Sequence, residues 1–150
     1  MATTSEMILL VEDSEDDIVL VRRAFKKCRI ANPVHVVTNG ESAIEYLAGQ
    51  SHYADRTHHP LPLLILLDLK LPKKSGLEVL GWIRQQNVLK RIPVVILTSS
   101  AQATDVNQAY ELGANSYLVK PVQFDHLQRL IERLDIYWLR TNVAPDVANT

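Results

Sequence analysis

Short runs of four or five apolar residues alternate along this chain with longer segments in which apolar positions recur every three or four residues. The short runs, near residues 8–11, 34–38, 63–67, 94–97 and 117–119, are apolar without alternation. That pattern suits strands covered on both faces, as in a parallel sheet, whereas the longer periodic segments suit amphipathic helices. Strands are therefore expected over 7–12, 34–38, 63–68, from Pro93 and over 116–119. Between them fall helices after Ser14, over 41–48, from Ser75, over 104–112 and over 123–140. Ser14 with Asp17, and Ser75 with Glu78, have the spacing of capping boxes, and Gly113 is placed to end the fourth helix. Pro33 and His35 mark the second strand as an edge. The third helix should face the core with Leu77, Leu80 and Ile83. Residues 50–62 break the rhythm; they are polar, rich in histidine and closed by Pro60 and Pro62, and read as a surface loop.

The result is an α/β chain of the form (βα)5, a doubly wound parallel sheet. No repeat or composition break marks a second domain. The expected layout is one domain over 1–150, with a core of about 6–140 and a loose tail over 141–150.

Composition narrows the classes of function. A net charge of −1 with interspersed acids and bases gives no footprint for nucleic acid. No apolar segment approaches the ~20 residues that cross a bilayer, and no signal peptide is visible at the start of the chain, so a soluble cytoplasmic protein is expected. The single cysteine, Cys28, can form neither an internal disulfide nor a zinc site, and a buried or half-buried helix position is expected for it.

The chemistry lies where the apolar runs stop. The first ends in Glu12-Asp13, the third in Asp68, the fourth in Thr98 and the fifth in Lys120-Pro121. In parallel sheets ligands sit beyond the carboxyl ends of the strands, where the strand order reverses. Two like charges ~4 Å apart repel by roughly 1–4 kcal/mol, so three carboxylates there should have raised pKa values or hold a metal. All-oxygen ligands favour Mg²⁺ or Mn²⁺. A carboxylate beside such an ion can attack phosphorus, while Lys120 and the Thr98 hydroxyl neutralise the phosphoryl oxygens. Taken singly, each residue has a bland reading: a solvated acid before a helix, a turn former, a strand-end threonine, a surface lysine. Taken jointly, four matching types at consecutive strand ends are not explained that way.

These residues carry a resemblance. Residues 8–13 with the acidic pair, Leu66-Leu67-Asp68 followed by Leu71-Pro72 and Gly76, residues 94–99, and 117–121 resemble, in order, the response-regulator receiver domain of two-component signalling. The resemblance implies a flavodoxin-like fold with strand order 2-1-3-4-5. It implies that Asp68 accepts a phosphoryl group from a sensor histidine kinase, with Mg²⁺ held by Glu12, Asp13, Asp68 and the backbone carbonyl of Lys70. Thr98 and Tyr117 would form the switch pair, and the Lys120-Pro121 bond would be cis. Residues 69–74, 91–100, 110–117 and Tyr137-Trp138-Leu139 are most similar to single-domain receivers associated with phytochrome-like photoreceptor kinases. The sequence departs from the family at Lys70, where asparagine is common; its side chain could reach over the phosphoryl group and screen it from water.

Two other readings compete. A phosphatase or phosphotransferase turning over through an aspartyl phosphate would carry a general acid two residues after the nucleophile, where this chain has Lys70. A flavodoxin-like cofactor carrier would want a glycine- and hydroxyl-rich loop after the first strand, where this chain has the acidic stretch 12–17. A switch rather than an enzyme is expected. On the fifth helix Phe124, Leu127, Ile131, Leu134 and Trp138 form a core stripe, Ile136 and Leu139 lie far around from it, and Leu130 and Tyr137 flank it. Receivers often pair through the face of helix 4, strand 5 and helix 5, so Leu130, Ile136, Tyr137 and Leu139 are the residues expected in a homodimer. His52, His58 and His59 of the long loop are expected to be solvated and are assigned no chemistry.

Overall fold

The computed structural model describes residues 6–147. Five strands, β1 (Ile8–Val11), β2 (Val34–Val37), β3 (Leu64–Leu67), β4 (Val94–Thr98) and β5 (Ser116–Val119), alternate with five helices, α1 (Glu15–Lys27), α2 (Gly40–Ala48), α3 (Gly76–Arg84), α4 (Ala103–Glu111) and α5 (Phe124–Leu134). All strand pairs are parallel, in the order β2-β1-β3-β4-β5. The expected (βα)5 architecture and strand order are those observed.

The apolar runs are continuous because successive strand residues enter two different cores. Leu9, Val11, Ile65, Leu67, Val94 and Ile96 pack on the side of α2 and α3. Ile8, Leu10, Leu64, Leu66, Val95 and Leu97 pack on the side of α1 and α5. The central strands β1, β3 and β4 are buried at every position, whereas the edge strands β2 and β5 are mostly half-buried. His35 is tolerated because β2 is the edge.

The helices begin where their caps predict. The Ser14 hydroxyl accepts the Asp17 N–H, and the Ser75 hydroxyl accepts the Glu78 N–H. Gly76, the first residue of α3, has no room for a side chain: a Cβ there would lie 2.1 Å from the Asp68 carbonyl oxygen. This close approach seats α3 directly on the exit of β3. In α3 the fully buried residues include Val79, Leu80 and Ile83, while Leu77 is half-buried against the same core.

Four regions depart from the expectations. Residues 50–62 are more than a surface loop. A 3₁₀ turn (Ser51–Tyr53) buries Tyr53, and Leu61 is buried too. The Arg56 guanidinium donates to the carbonyls of Tyr46 (2.8 Å) and Leu47 (2.7 Å), closing the C-terminal end of α2, which lacks basic residues of its own. His52 and His58 are exposed, but His59 is half-buried and its ring stacks edge-on to Tyr53 and Tyr46. The fifth helix is α-helical only to Leu134 and continues as a π-helix (Asp135–Thr141). Bonding from i to i+5 widens the turn, so Leu139 swings back to the face of Leu134 and packs against the core instead of lying opposite to it. The expected loose tail folds back as far as residue 147, and 148–150 lie outside the described residues: Val147 is 3% exposed in the core beside α2 and α3, and the Asp146 carbonyl accepts from Arg91. An isolated valine carries no periodic signal, which is why the sequence does not announce this contact. Finally, no peptide bond is cis among the described residues, so the Lys120-Pro121 bond is trans, contrary to expectation. Trans is the lower-energy isomer by about 0.5–1 kcal/mol, and in this geometry Lys120 reaches its carboxylate partners.

Gly76→Ala is expected to lower stability by about 1–3 kcal/mol in urea unfolding, because backbone rather than a flexible side chain must give way. Gly81→Ala in the same helix meets only Leu112 Cδ2 at 3.7 Å and is expected to stabilise by about 0.5–1 kcal/mol.

Candidate functional site

The carboxyl ends of β1, β3, β4 and β5 deliver the polar residues to one place. Glu12 and Asp13 follow β1, Asp68 follows β3, Thr98 closes β4 and Lys120 follows β5. Glu12, Asp68 and Thr98 are buried, while Asp13 is exposed. One carboxylate oxygen from each of Glu12, Asp13 and Asp68 lies within 4.8 Å of the others. The Lys120 ammonium donates to Glu12 Oε1, to Asp17 Oδ2 (2.8 Å) and to Asp68 Oδ2 (2.8 Å). The other Asp68 oxygen, Oδ1, accepts the Thr98 hydroxyl at 2.7 Å and the Lys70 backbone N–H at 3.3 Å.

Burial and charge pull in opposite directions here. Burial pushes the Glu12 carboxyl up to about 7, with the Asp68 charge adding to the rise, against hydrogen bonds from Lys120 and the Ser14 N–H. For Asp68 burial also acts upward, but the Lys120 and Thr98 hydrogen bonds outweigh it and hold the carboxyl below the usual aspartate range. For Lys120 burial acts downward, yet its three carboxylate partners hold the ammonium above the ordinary lysine value. Asp68 is thus kept ionised at a buried position, with a cation and a hydroxyl aimed at it. It is an anion fit to act as a nucleophile. The oxygens that Glu12 and Asp13 bring beside Asp68 form a cluster that suits a hard divalent cation.

Glu12, Asp13, Asp68, Thr98 and Lys120 are therefore brought together as the sequence suggests. Lys70 contributes its backbone N–H, and its side chain is exposed. Tyr117 stands apart from the carboxylates. Its hydroxyl donates to the Ser100 carbonyl at 2.9 Å, and its ring is half-buried against the α2/α3 core. It thereby joins β5 to the loop that Thr98 begins, and the Ser100 hydroxyl in turn donates to Asp105 in the first turn of α4. Of the expected dimer residues, Ile136 and Tyr137 are about half exposed, whereas Leu130 and Leu139 are half-buried against the core.

One residue at the site escapes the sequence reading. Asp17 has the position of a capping-box partner, and its N–H does bond to Ser14. Its carboxylate, however, goes to Lys120. The available signal was its place in the dense acidic stretch 12–17 that follows β1.

Comparison with known proteins agrees with this geometry. The family model described as the response regulator receiver domain matches residues 8–132, and the chain belongs to that family. It is 42% identical over 140 residues to Response regulator Rcp1 of Synechocystis sp., covering 93% of each protein. It is 39% identical over 146 residues to the probable methanogenesis regulatory protein FilR2 of Methanothrix harundinacea, covering 95% of this chain and 89% of that one. The structure of the phosphorylated cyanobacterial phytochrome response regulator RcpA superposes with a TM-score of 0.88 at 37% identity, covering 95% of this chain and all (100%) of that one. The Mn²⁺-bound form of Rcp1 superposes with a TM-score of 0.85, covering 94% and 99% of the two chains.

Lys120→Met removes the cation but keeps the volume, leaving buried carboxylates unpaired. Urea unfolding in metal-free buffer is expected to show a loss of about 3–5 kcal/mol at pH 8. The Glu12 pKa is raised, so the fold favours the protonated acid; that preference stabilises at low pH and is lost as pH rises through about 7. The penalty of Lys120→Met should therefore be smaller at pH 6 than at pH 8.

Proposed function

We propose that this chain is a phosphorylatable response regulator that accepts a phosphoryl group on Asp68 from the phosphohistidine of a sensor histidine kinase. The observation that carries this reading is the state of Asp68: buried, ionised, and bonded through its two oxygens to Lys120 and Thr98. In the transfer an Asp68 oxygen attacks phosphorus, the P–N bond to the donor imidazole breaks, and the departing nitrogen takes up a proton. Lys120 and Thr98 each take a phosphoryl oxygen. Glu12, Asp13, Asp68 and the Lys70 carbonyl would hold Mg²⁺ or Mn²⁺, which supplies the remaining neutralisation of charge. Thr98 and Tyr117 act as the switch pair, since Thr98 bonds to Asp68 and begins the loop that Tyr117 holds at the Ser100 carbonyl.

The kinase is phytochrome-like on this reading. Its support is the extended similarity to RcpA, described as a cyanobacterial phytochrome response regulator. The protein works as a single receiver domain in the cytoplasm; it covers 93% of Rcp1, and among the described residues no helix is long and apolar enough to cross a membrane. It acts as a regulator and not as an enzyme. The family is one of regulators, and the position two residues after Asp68 holds Lys70 rather than a general acid. It pairs with a second copy through α4, β5 and α5, a face that exposes Val119 and Tyr137, whereas Ile136 lies beside Lys27, Cys28 and Arg29 at the end of α1 and is not part of it.

Incubation with acetyl phosphate and Mg²⁺ is expected to add one acid-stable, base-labile phosphoryl group per chain, and Asp68→Asn should abolish it. Continuous release of phosphate at a high rate would instead favour an enzyme. Light scattering at high concentration is expected to give a dimer that Val119→Asp with Tyr137→Asp dissociates; a monomer with and without a phosphate mimic would contradict the pairing.

A further inference from the structure

We infer that Asp17 is a positioning residue that withholds Lys120 from the phosphoryl group, a role that rests on the reading of Asp68 as the acceptor. An ammonium has three hydrogens and no more. All three are committed here, to Glu12, Asp17 and Asp68. A phosphoryl oxygen on Asp68 can gain a hydrogen bond from Lys120 only when one of these is given up.

The three bonds are not equally costly to break. Asp68 gives up its carboxylate charge when its oxygen bonds to phosphorus, and its hydrogen bond from Lys120 passes to the phosphoryl group. Of the two carboxylates that still hold the ammonium, the Glu12 side chain is 3% exposed and keeps its cation. The side chain of Asp17 is 36% exposed, and water can replace the ammonium there, so Asp17 is the one that can release Lys120 to a second phosphoryl oxygen. Asp17 competes with the phosphoryl group for a single donor, and its own negative charge opposes an incoming anion at the same nitrogen. The placement follows from the fold. α1 starts directly after the Glu12-Asp13 pair, and its first turn meets Lys120 through the Asp17 carboxylate.

Removing that charge should make phosphoryl capture better rather than worse. A unit-charge contact at about 4 Å in a water-like dielectric corresponds to roughly a fivefold change in equilibrium. The test compares the parent chain with Asp17→Asn and with Asp16→Asn; Asp16 is exposed, sits next in sequence and makes the same change in net charge without touching Lys120. With Mg²⁺ present, beryllofluoride serves as the phosphoryl mimic, its affinity read by ¹⁹F NMR, and acetyl phosphate as the donor. Asp17→Asn is expected to bind beryllofluoride about fivefold more tightly, and to label about fivefold faster at sub-saturating donor, with Asp16→Asn within about twofold of the parent. A damaged fold would lower both readings, so a gain reports the freed ammonium. Affinity in Asp17→Asn that is unchanged, equal to that of Asp16→Asn, or weaker than in the parent overturns this inference and leaves the assignment of Asp68 standing. A parent chain that neither labels nor binds beryllofluoride overturns both.

Discussion

A single buried ammonium holds this site together. Glu12 and Asp68 come from neighbouring strands and would repel one another at the sheet edge. Lys120 arrives from the far side of β4 and joins them. The lysine gains from the acids as they do from it, since burial disfavours its charged form and the three carboxylates outweigh that effect. The consequence is an arrangement in which one carboxylate, Asp68, stays charged in an interior position while its neighbour Glu12 is pushed toward neutrality. That division of labour is set by hydrogen bonds: Asp68 receives Thr98 and Lys70 as well as Lys120, and Glu12 has only Lys120 and the Ser14 N–H.

The rest of the fold brings these few atoms into register. Parallel strands buried on both faces place their last residues at a common edge, and the reversal of strand order between β1 and β3 opens a crevice there. Burial on two faces gives the central strands continuous apolar sequence, so their ends are sharply marked by the first polar residue. This is why Glu12, Asp13, Asp68, Thr98 and Lys120 could be read from the chain, and why all five meet. The strand order itself came from family resemblance, because the apolar runs give no information on which strands are neighbours.

What the chain did not disclose has a common physical origin. Asp17 joins the site because the Lys120 ammonium reaches the first turn of α1, a tertiary relation that helical periodicity does not contain. Leu139 packs inward because the last turns widen to π geometry, which shifts every later residue around the axis. Val147 and Tyr53 are buried as single apolar residues amid polar neighbours, with nothing periodic to flag them. The polar segment 50–62 looks solvated by composition, yet Arg56 finds the carbonyls at the end of α2 and folds the segment down. The trans Lys120-Pro121 bond corrects a family habit, not a residue pattern.

The contact of Gly76 with the Asp68 carbonyl makes the two flanks of the acceptor mechanically unequal. On the α3 side main chain rests on main chain, with no side chain between to act as a cushion. On the α4 side the link runs through exchangeable hydroxyl bonds from Thr98, Tyr117 and Ser100. An added load on Asp68 meets a wall in one direction and a hinge in the other, so displacement is steered toward the surface formed by α4 and β5.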